Sequence, residues 1–361
     1  MNCPKCGMEN LDSAQVCRSC GAQLSPPPVP PAGVVPRRSG LAIAAFVLGI
    51  LSLFTCGLTV VPAIALGIIS FILVEKSGGR LTGRNFAILG VVIPVLIFFV
   101  VLWPMLLNIR QKASRMVCGT NLTVIGMAML VYSNDYDDKL PRSGGKDTPW
   151  AMQIPDWKAN NRSAAYGLAV DGSRGQGSIS SCFYLLVKYA KERPKSFVCG
   201  GDTGAMPFNP ADAGAGDRTL AELWDFGPEP QKHCSYSYHQ PFGLYPLTTS
   251  SDPGMAVAAD RSPWIESPAS EGKIKRFAGF NPHGGREAIR IGNAIQHQEN
   301  GQNVLFLDNH VSFERYSFCG VNDDNIYTFW DGPEIRKGGL PVAGISEPKD
   351  KLDSFLVHDG L

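Results

Sequence analysis

Between Leu41 and Val74 the chain carries no charged residue, and Phe86 to Leu107 repeats the pattern. No other feature constrains the fold as strongly. Uncharged stretches of this length cannot cover the outside of a water-soluble domain, so they point to a bilayer. As one straight helix the first would run roughly 50 Å at about 1.5 Å per residue, well beyond the ~30 Å hydrocarbon core. Thr55-Cys56-Gly57 and Pro62 lie near its middle, where a turn would break it. The expectation is a hairpin of two short spans over 41–74, then one span over 86–107 kinked at Pro94 and Pro104, which a membrane helix tolerates.

Basic residues flank every boundary: Arg37 and Arg38; Lys76, Arg80 and Arg84; Arg110, Lys112 and Arg115. With three spans the first two groups are cytoplasmic and the third external. With two, the first and third are cytoplasmic. Three spans, with residues 108–361 outside the cytoplasm, are expected. The remainder of the chain is of another kind, rich in Gly, Pro, Ser and Asp from 134 to 361. A net charge of +1 supplies no global field for a nucleic-acid partner, so none is expected.

The N-terminus does not read as a signal peptide, because a polar Cys-rich module precedes any apolar run. Cys3-Pro4-Lys5-Cys6-Gly7 and Cys17-Arg18-Ser19-Cys20-Gly21 form two CxxC knuckles. Each aims two thiolates at one point, and the Gly after each second Cys permits a left-handed turn. Four soft ligands suit tetrahedral zinc, and with Cys3, Cys6, Cys17 and Cys20 filling every position the role is structural, two disulfides or a redox dithiol being the competing readings. So short a module (1–24) buries no core, so the metal supplies its folding free energy. The pattern resembles the zinc-ribbon family. Residues 25–38, with SPPPVPPAGVVP at Ser25 to Pro36, read as an extended linker.

Further resemblances cover the rest. LAIAAFVLGILSLF, AIALGIIS and GRNFAILGVVIPVL, within 39–107, are similar to the bacterial membrane family called domain of unknown function 4190. That likeness implies an inner (cytoplasmic) membrane location and no catalytic residues. Beyond it, Met116, Val117, Leu122, Ile125, Met129 and Leu130 recur at three- and four-residue steps, which predicts an amphipathic helix ending near Asp135 to Pro141. Strand-like runs follow at 196–199, 235–238, 255–259 and 303–307. The reading is a multi-domain membrane protein: zinc ribbon, α-helical transmembrane region, then an α+β domain over 108–361 with a long helix and an antiparallel meander.

Within that domain Pro104, Arg110, Lys112, Arg115, Cys118, Asn121-Leu122, Gly126, Tyr132, Asp135-Tyr136 and Pro141 resemble the stem of pseudopilin-like bacterial proteins with an H-x9-DG tail motif. Phe197-Val198-Cys199 with Asp202 is similar to that family's F-x-C-P-S-D box, and His297 to Phe313 to its closing hairpin. Two departures stand out. Gly83-Arg84-Asn85-Phe86 lacks the adjacent Gly-Phe cleavage pair and the acid of a pilin helix, so peptidase processing is not expected. Ten residues separate His297 from Asp308, and Asn309 replaces Gly, leaving a two-residue Asp308-Asn309 hairpin turn. In an exported domain some of Cys118, Cys182, Cys199, Cys234 and Cys319 pair, and the odd count leaves at least one unpaired.

Catalytic signatures are missing: there is no GxSxG, HExxH or phosphate loop. His283, His297, His310 and Asp308 are a candidate metal set, though a hairpin explains 303–311 better. Asp202-Thr203-Gly204 superficially matches an aspartic-protease triplet. The acid groups Asp135-Asp137-Asp138 and Asp323-Asp324-Asn325 fit no full calcium loop and read as solvated turns. Trp150, Trp157, Trp224, Trp264 and Trp330 read as packing rather than a sugar platform. The expected function is a non-enzymatic membrane-anchored envelope protein whose partners are the bilayer and other proteins. A membrane-bound sensor signalling through the ribbon is the alternative, and an envelope hydrolase the third class.

Overall fold

The computed structural model describes residues 1–11, 14–24, 36–55, 57–268 and 277–360, with the backbone alone at Asn108. Cys56 and most of the Pro-rich linker lie outside these residues. The chain divides into two compact units, Met1–Asn108 and Ile109–Leu361.

In the first unit, three helices follow the uncharged runs: α1 (Gly40–Leu51), α2 (Val60–Lys76) and α3 (Arg84–Ile97). Ser39 caps α1 by accepting from Ala42 N–H. Hydrogen-bonded turns prolong α1 to Thr55, and Gly57 takes φ 87° in the reversal. Pro62 sits in the first turn of α2, where its missing N–H costs no helical bond. Two short strands, β1 (Arg37–Arg38) and β2 (Leu81–Thr82), pair in parallel. That pairing brings the start of α1 to the α2–α3 loop, so Arg37, Arg38 and Arg80 share one end of the bundle.

Packing here runs opposite to that of a soluble bundle. The buried positions are small or backbone-like: Ala42, Ala45 and Gly49 on α1, Ala63, Gly67 and Ser70 on α2, Ala87, Gly90 and Pro94 on α3. Large apolar side chains such as Ile43, Val47, Ile68, Ile72 and Leu96 are exposed. A Cβ on Gly90 would stand 2.8 Å from Ala45 Cβ, and one on Gly67 would stand 2.7 Å from Val91 Cγ2. The three helices thus approach closely through small residues, with the bulky ones outside.

α3 continues through a π-helical turn (Phe98–Leu102) into α4 (Trp103–Asp135). The ring of Pro104 would collide with the carbonyl of Val100 in a regular helix, and the wider turn before it relieves that clash. The continuous helix Arg84–Asp135 is, among the described residues, the one long and apolar enough to cross a membrane. α1 and α2, at 12 and 17 residues, are shorter.

In the second unit α4 packs on an antiparallel sheet of order β6-β5-β4-β3-β7, formed by β3 (Tyr236–His239), β4 (Ala256–Asp260), β5 (Gln302–Phe306), β6 (Val311–Glu314) and β7 (Leu356–Val357). Strands β3 to β6 are the expected meander, and β7 adds to the far edge. Three expectations need correction. Ser196–Cys199 is not a strand: Pro194 pins φ at the start of a 3-10 turn, Pro194–Phe197. The buried stripe of α4 is Cys118, Leu122, Ile125, Met129 and Tyr132, leaving Met116, Val117 and Leu130 exposed. Its phase is set by Cys118, which is covalently tied below, rather than by the first apolar pair. Finally, the β5–β6 loop has three residues, not two. Asn309 N–H donates to Phe306 O at 2.9 Å and Phe306 N–H to His310 O at 3.0 Å, with Asn309 at φ 69°. This is a type I turn followed by a left-handed bulge residue, a three-residue loop compatible with the strand twist.

Candidate functional site

The N-terminal module is two copies of one knuckle. Cys3 N–H donates to Met8 O (2.9 Å) and Gly7 N–H to Cys3 O (2.9 Å); Cys17 N–H donates to Ala22 O (2.7 Å) and Gly21 N–H to Cys17 O (3.0 Å). Gly7 and Gly21 take φ of 73° and 67°, as the turn requires. Asn10 ties the halves together, accepting from Arg18 N–H at 3.0 Å and donating to Cys17 Sγ at 3.5 Å. Backbone N–H groups of Cys20 and Ser19 point at the Cys17 sulfur and bring its thiol down to about 6, which favours the thiolate. All four Sγ atoms lie within 4.8 Å of one another, and none is in a disulfide.

Sulfurs on a tetrahedral zinc at about 2.3 Å stand about 3.8 Å apart. Here Cys3 and Cys20 Sγ are 3.7 Å apart, and Cys6 and Cys17 Sγ 3.5 Å. A zinc-ribbon domain family model matches residues 2–24. Residues 2–24 are a zinc-ribbon domain. The ribbon fits one structural zinc ion on Cys3, Cys6, Cys17 and Cys20, with every tetrahedral position filled by the chain. No curated protein and no solved structure matches the chain.

In the second unit the residues on which the pseudopilin resemblance rests have structural work. Cys118 of α4 and Cys199 form a disulfide with Cα atoms 5.1 Å apart, the one pair among the five scattered cysteines. Cys182, Cys234 and Cys319 stay free. Asn121 Nδ2 donates to Val198 O at 2.9 Å, and Tyr238 Oη to Pro141 O at 3.0 Å. Gly126 lets the β5–β6 hairpin lie against α4: a Cβ there would clash with Asn309 Oδ1 and stand 2.9 Å from Leu305 Cδ1.

His297 and Asp308 do not meet. His297 is buried at the end of a 3-10 turn, with Nε2 3.1 Å from Asp260 Oδ2 and 3.8 Å from Cys199 Sγ. Asp308 is on the exposed hairpin loop, paired with His310. His283 pairs instead with Glu334 at 2.6 Å. The proposed histidine metal set is therefore dispersed. Asp202 is buried in an ion pair with Arg261 Nε (3.1 Å), and Arg261 also donates to Cys234 O at 2.6 Å. That fixed pair gives Asp202 of the protease-like triplet a structural partner.

The acid groups divide. Asp137 is exposed beside Lys139, whereas Asp324 is buried and accepts from Trp330 Nε1 and Ser354 N–H, both at 2.7 Å. Burial holds Asp324 above the usual carboxylate range, so the solvated-turn reading fails at this residue. Trp150, Trp224 and Trp264 are buried, and Trp150 and Trp224 donate Nε1–H to Asp359 and the Ala159 carbonyl, as packing residues do. Sequence reasoning missed Asp260, Asn303 and Arg261. The trace they leave is an Asp-Arg pair closing the Ala-rich strand β4.

Proposed function

We propose that the chain is a non-enzymatic, multi-pass protein of the bacterial inner membrane, with a cytosolic zinc ribbon and an exported pseudopilin-like domain (108–361) that binds other envelope proteins. One contrast carries the reading. Four free cysteines of the ribbon form a thiolate ligand set, whereas Cys118 and Cys199 are joined as a disulfide. Thiolate centres persist in reducing compartments and structural disulfides in oxidising ones, so the two ends belong on opposite sides of a membrane and an odd number of spans separates them.

The helical region supports three. Small-residue packing with bulky residues outward fits lipid on the outside of α1, α2 and α3. Strand pairing of Arg37–Arg38 with Leu81–Thr82 gathers basic residues at one end, in accord with a cytosolic face shared with the ribbon. The turn-extended α1, Gly40 to Thr55, reaches about 24 Å, a shortfall that local thinning of the bilayer accommodates. A long helix packed on an antiparallel meander is in keeping with the pseudopilin-like resemblance.

The test is a pair of reporter fusions, alkaline phosphatase and a fluorescent protein, placed after Lys76 and after Leu361. Phosphatase activity at 361 with fluorescence at 76 is expected. Fluorescence at 361 would refute export of the domain.

A further inference from the structure

The disulfide does not stand alone. Cys118, Cys199, Asp260 and His297 are all buried, and their ligand atoms lie within 4.8 Å of one another. Two sulfurs, an imidazole nitrogen and a carboxylate constitute a tetrahedral zinc donor set whenever the sulfurs are thiolates. We propose that this cluster is a second metal site, opened by reduction: with the Cys118–Cys199 bond broken, both thiolates, His297 Nε2 and the Asp260 carboxylate take one Zn²⁺.

Three observations support a built site. First, the spacing suits zinc. Ligands at about 2.3 Å (sulfur) and about 2.0–2.1 Å (nitrogen, oxygen) place S and N about 3.6 Å apart and N and O about 3.4 Å apart. Cys199 Sγ is 3.8 Å from His297 Nε2, which is 3.1 Å from Asp260 Oδ2. Side-chain rotation at the two cysteines need only part the sulfurs to about 3.8 Å.

Second, outer groups already orient the ligands. Gly201 N–H donates to Cys199 Sγ at 3.3 Å, just as backbone N–H groups serve the ribbon's Cys17. Asn303 holds Asp260 Oδ2 with its backbone N–H at 2.6 Å and its Nδ2 at 3.1 Å. Third, Asp260 is completely buried, and its Oδ1 has no hydrogen-bond partner among the described residues. Oδ2, the oxygen nearest His297, carries the two Asn303 bonds, and the unpartnered Oδ1 leaves the buried carboxylate short of donors, a deficit that a cation on this carboxylate would recover.

The chemistry balances through thiol–disulfide exchange. A dithiol gives two electrons and two protons, the S–S bond breaks, and the dithiol closes to its own disulfide. Zinc then displaces one proton from each new thiol. Metal replaces the covalent bond as the clamp between α4 and the sheet, so the stem stays docked in either redox state. Zinc occupancy after reduction is read independently of which side of the membrane the domain occupies, and in an oxidising compartment the bond stays closed until a dithiol reaches it.

The test is zinc stoichiometry of the full chain in detergent, with and without a phosphine reductant that does not bind zinc. The oxidised chain should hold one zinc, in the ribbon, and the reduced chain two. His297→Gln and Asp260→Asn should each return the reduced chain to one, while their oxidised forms keep the disulfide by intact mass. One zinc in the reduced chain, or a second zinc indifferent to both substitutions, overturns the proposal. Should the buried bond resist the phosphine, or these variants lose the fold, Cys118→Ser is read in a full chain whose four ribbon cysteines are Ser. It should bind Co²⁺ with a single-thiolate charge-transfer band, and no band overturns the proposal.

Discussion

Replacing both Cys118 and Cys199 with Ala tests how the second unit is held together. The bond closes a loop of 81 residues between α4 and the turn after Pro194–Phe197. Chain-entropy reasoning gives ΔS of about −15 cal/mol/K for closing such a loop in the unfolded chain, or about 4.5 kcal/mol at 298 K. Loss of two buried sulfurs from the main core adds to this. A domain of this size loses roughly 2–4 °C of Tm per kcal/mol, so the double variant should melt roughly 10–18 °C lower. The assay is thermal unfolding in mild detergent followed by tryptophan fluorescence, because Trp150, Trp224 and Trp264 are all buried in this unit. No reductant is added, so that the bond stays closed in the unmodified chain. A drop of under roughly 3 °C, with intact mass proving the bond present in the unmodified chain, would refute the reasoning.

Other outcomes follow from the same structure. A peptide of residues 1–24 should titrate with one Co²⁺ to a tetrathiolate spectrum, and Cys20→Ser should lower its affinity at least tenfold. Gly90→Leu should destabilise the helical bundle by about 1–3 kcal/mol, because even its Cβ meets Ala45, whereas the outward Val92→Leu should be neutral in the same detergent-stability assay. Burial, reinforced by Asp359, raises the Asp225 carboxyl to about 8. Its folded value lies above its unfolded one, so its contribution is complete below about pH 4 and is lost as pH rises toward about 8. Asp225→Asn should therefore flatten the fall in Tm between pH 6 and 8, and an unchanged slope would assign that fall elsewhere.

Much of this protein follows from local chemistry that no tertiary contact can alter. Two CxxC knuckles each followed by Gly form a metal ribbon because each spacing converges two sulfurs and a single ion can gather both pairs. The charge-free runs become helices, and the reversal near Gly57 follows from the residues there. The left-handed Asn309 and the end of α4 before the Asp-rich turn were equally legible, since turn residues act through their own backbone preferences.

What the linear pattern could not carry was which of several equivalent choices the packed core would take. Six apolar positions on α4 were compatible with more than one buried face, and the tie between Cys118 and Cys199 selected the phase that exposes Met116, Val117 and Leu130. The partner of Cys118 was open among four other cysteines until the Pro194 turn brought Cys199 beneath the stem. His297 read as half of a tail motif with Asp308, yet it faces Asp260, 37 residues earlier, because adjacent antiparallel strands β4 and β5 bring those segments side by side. Contacts across such sequence distances arise from burial and register, which belong to the whole sheet rather than to any segment of it.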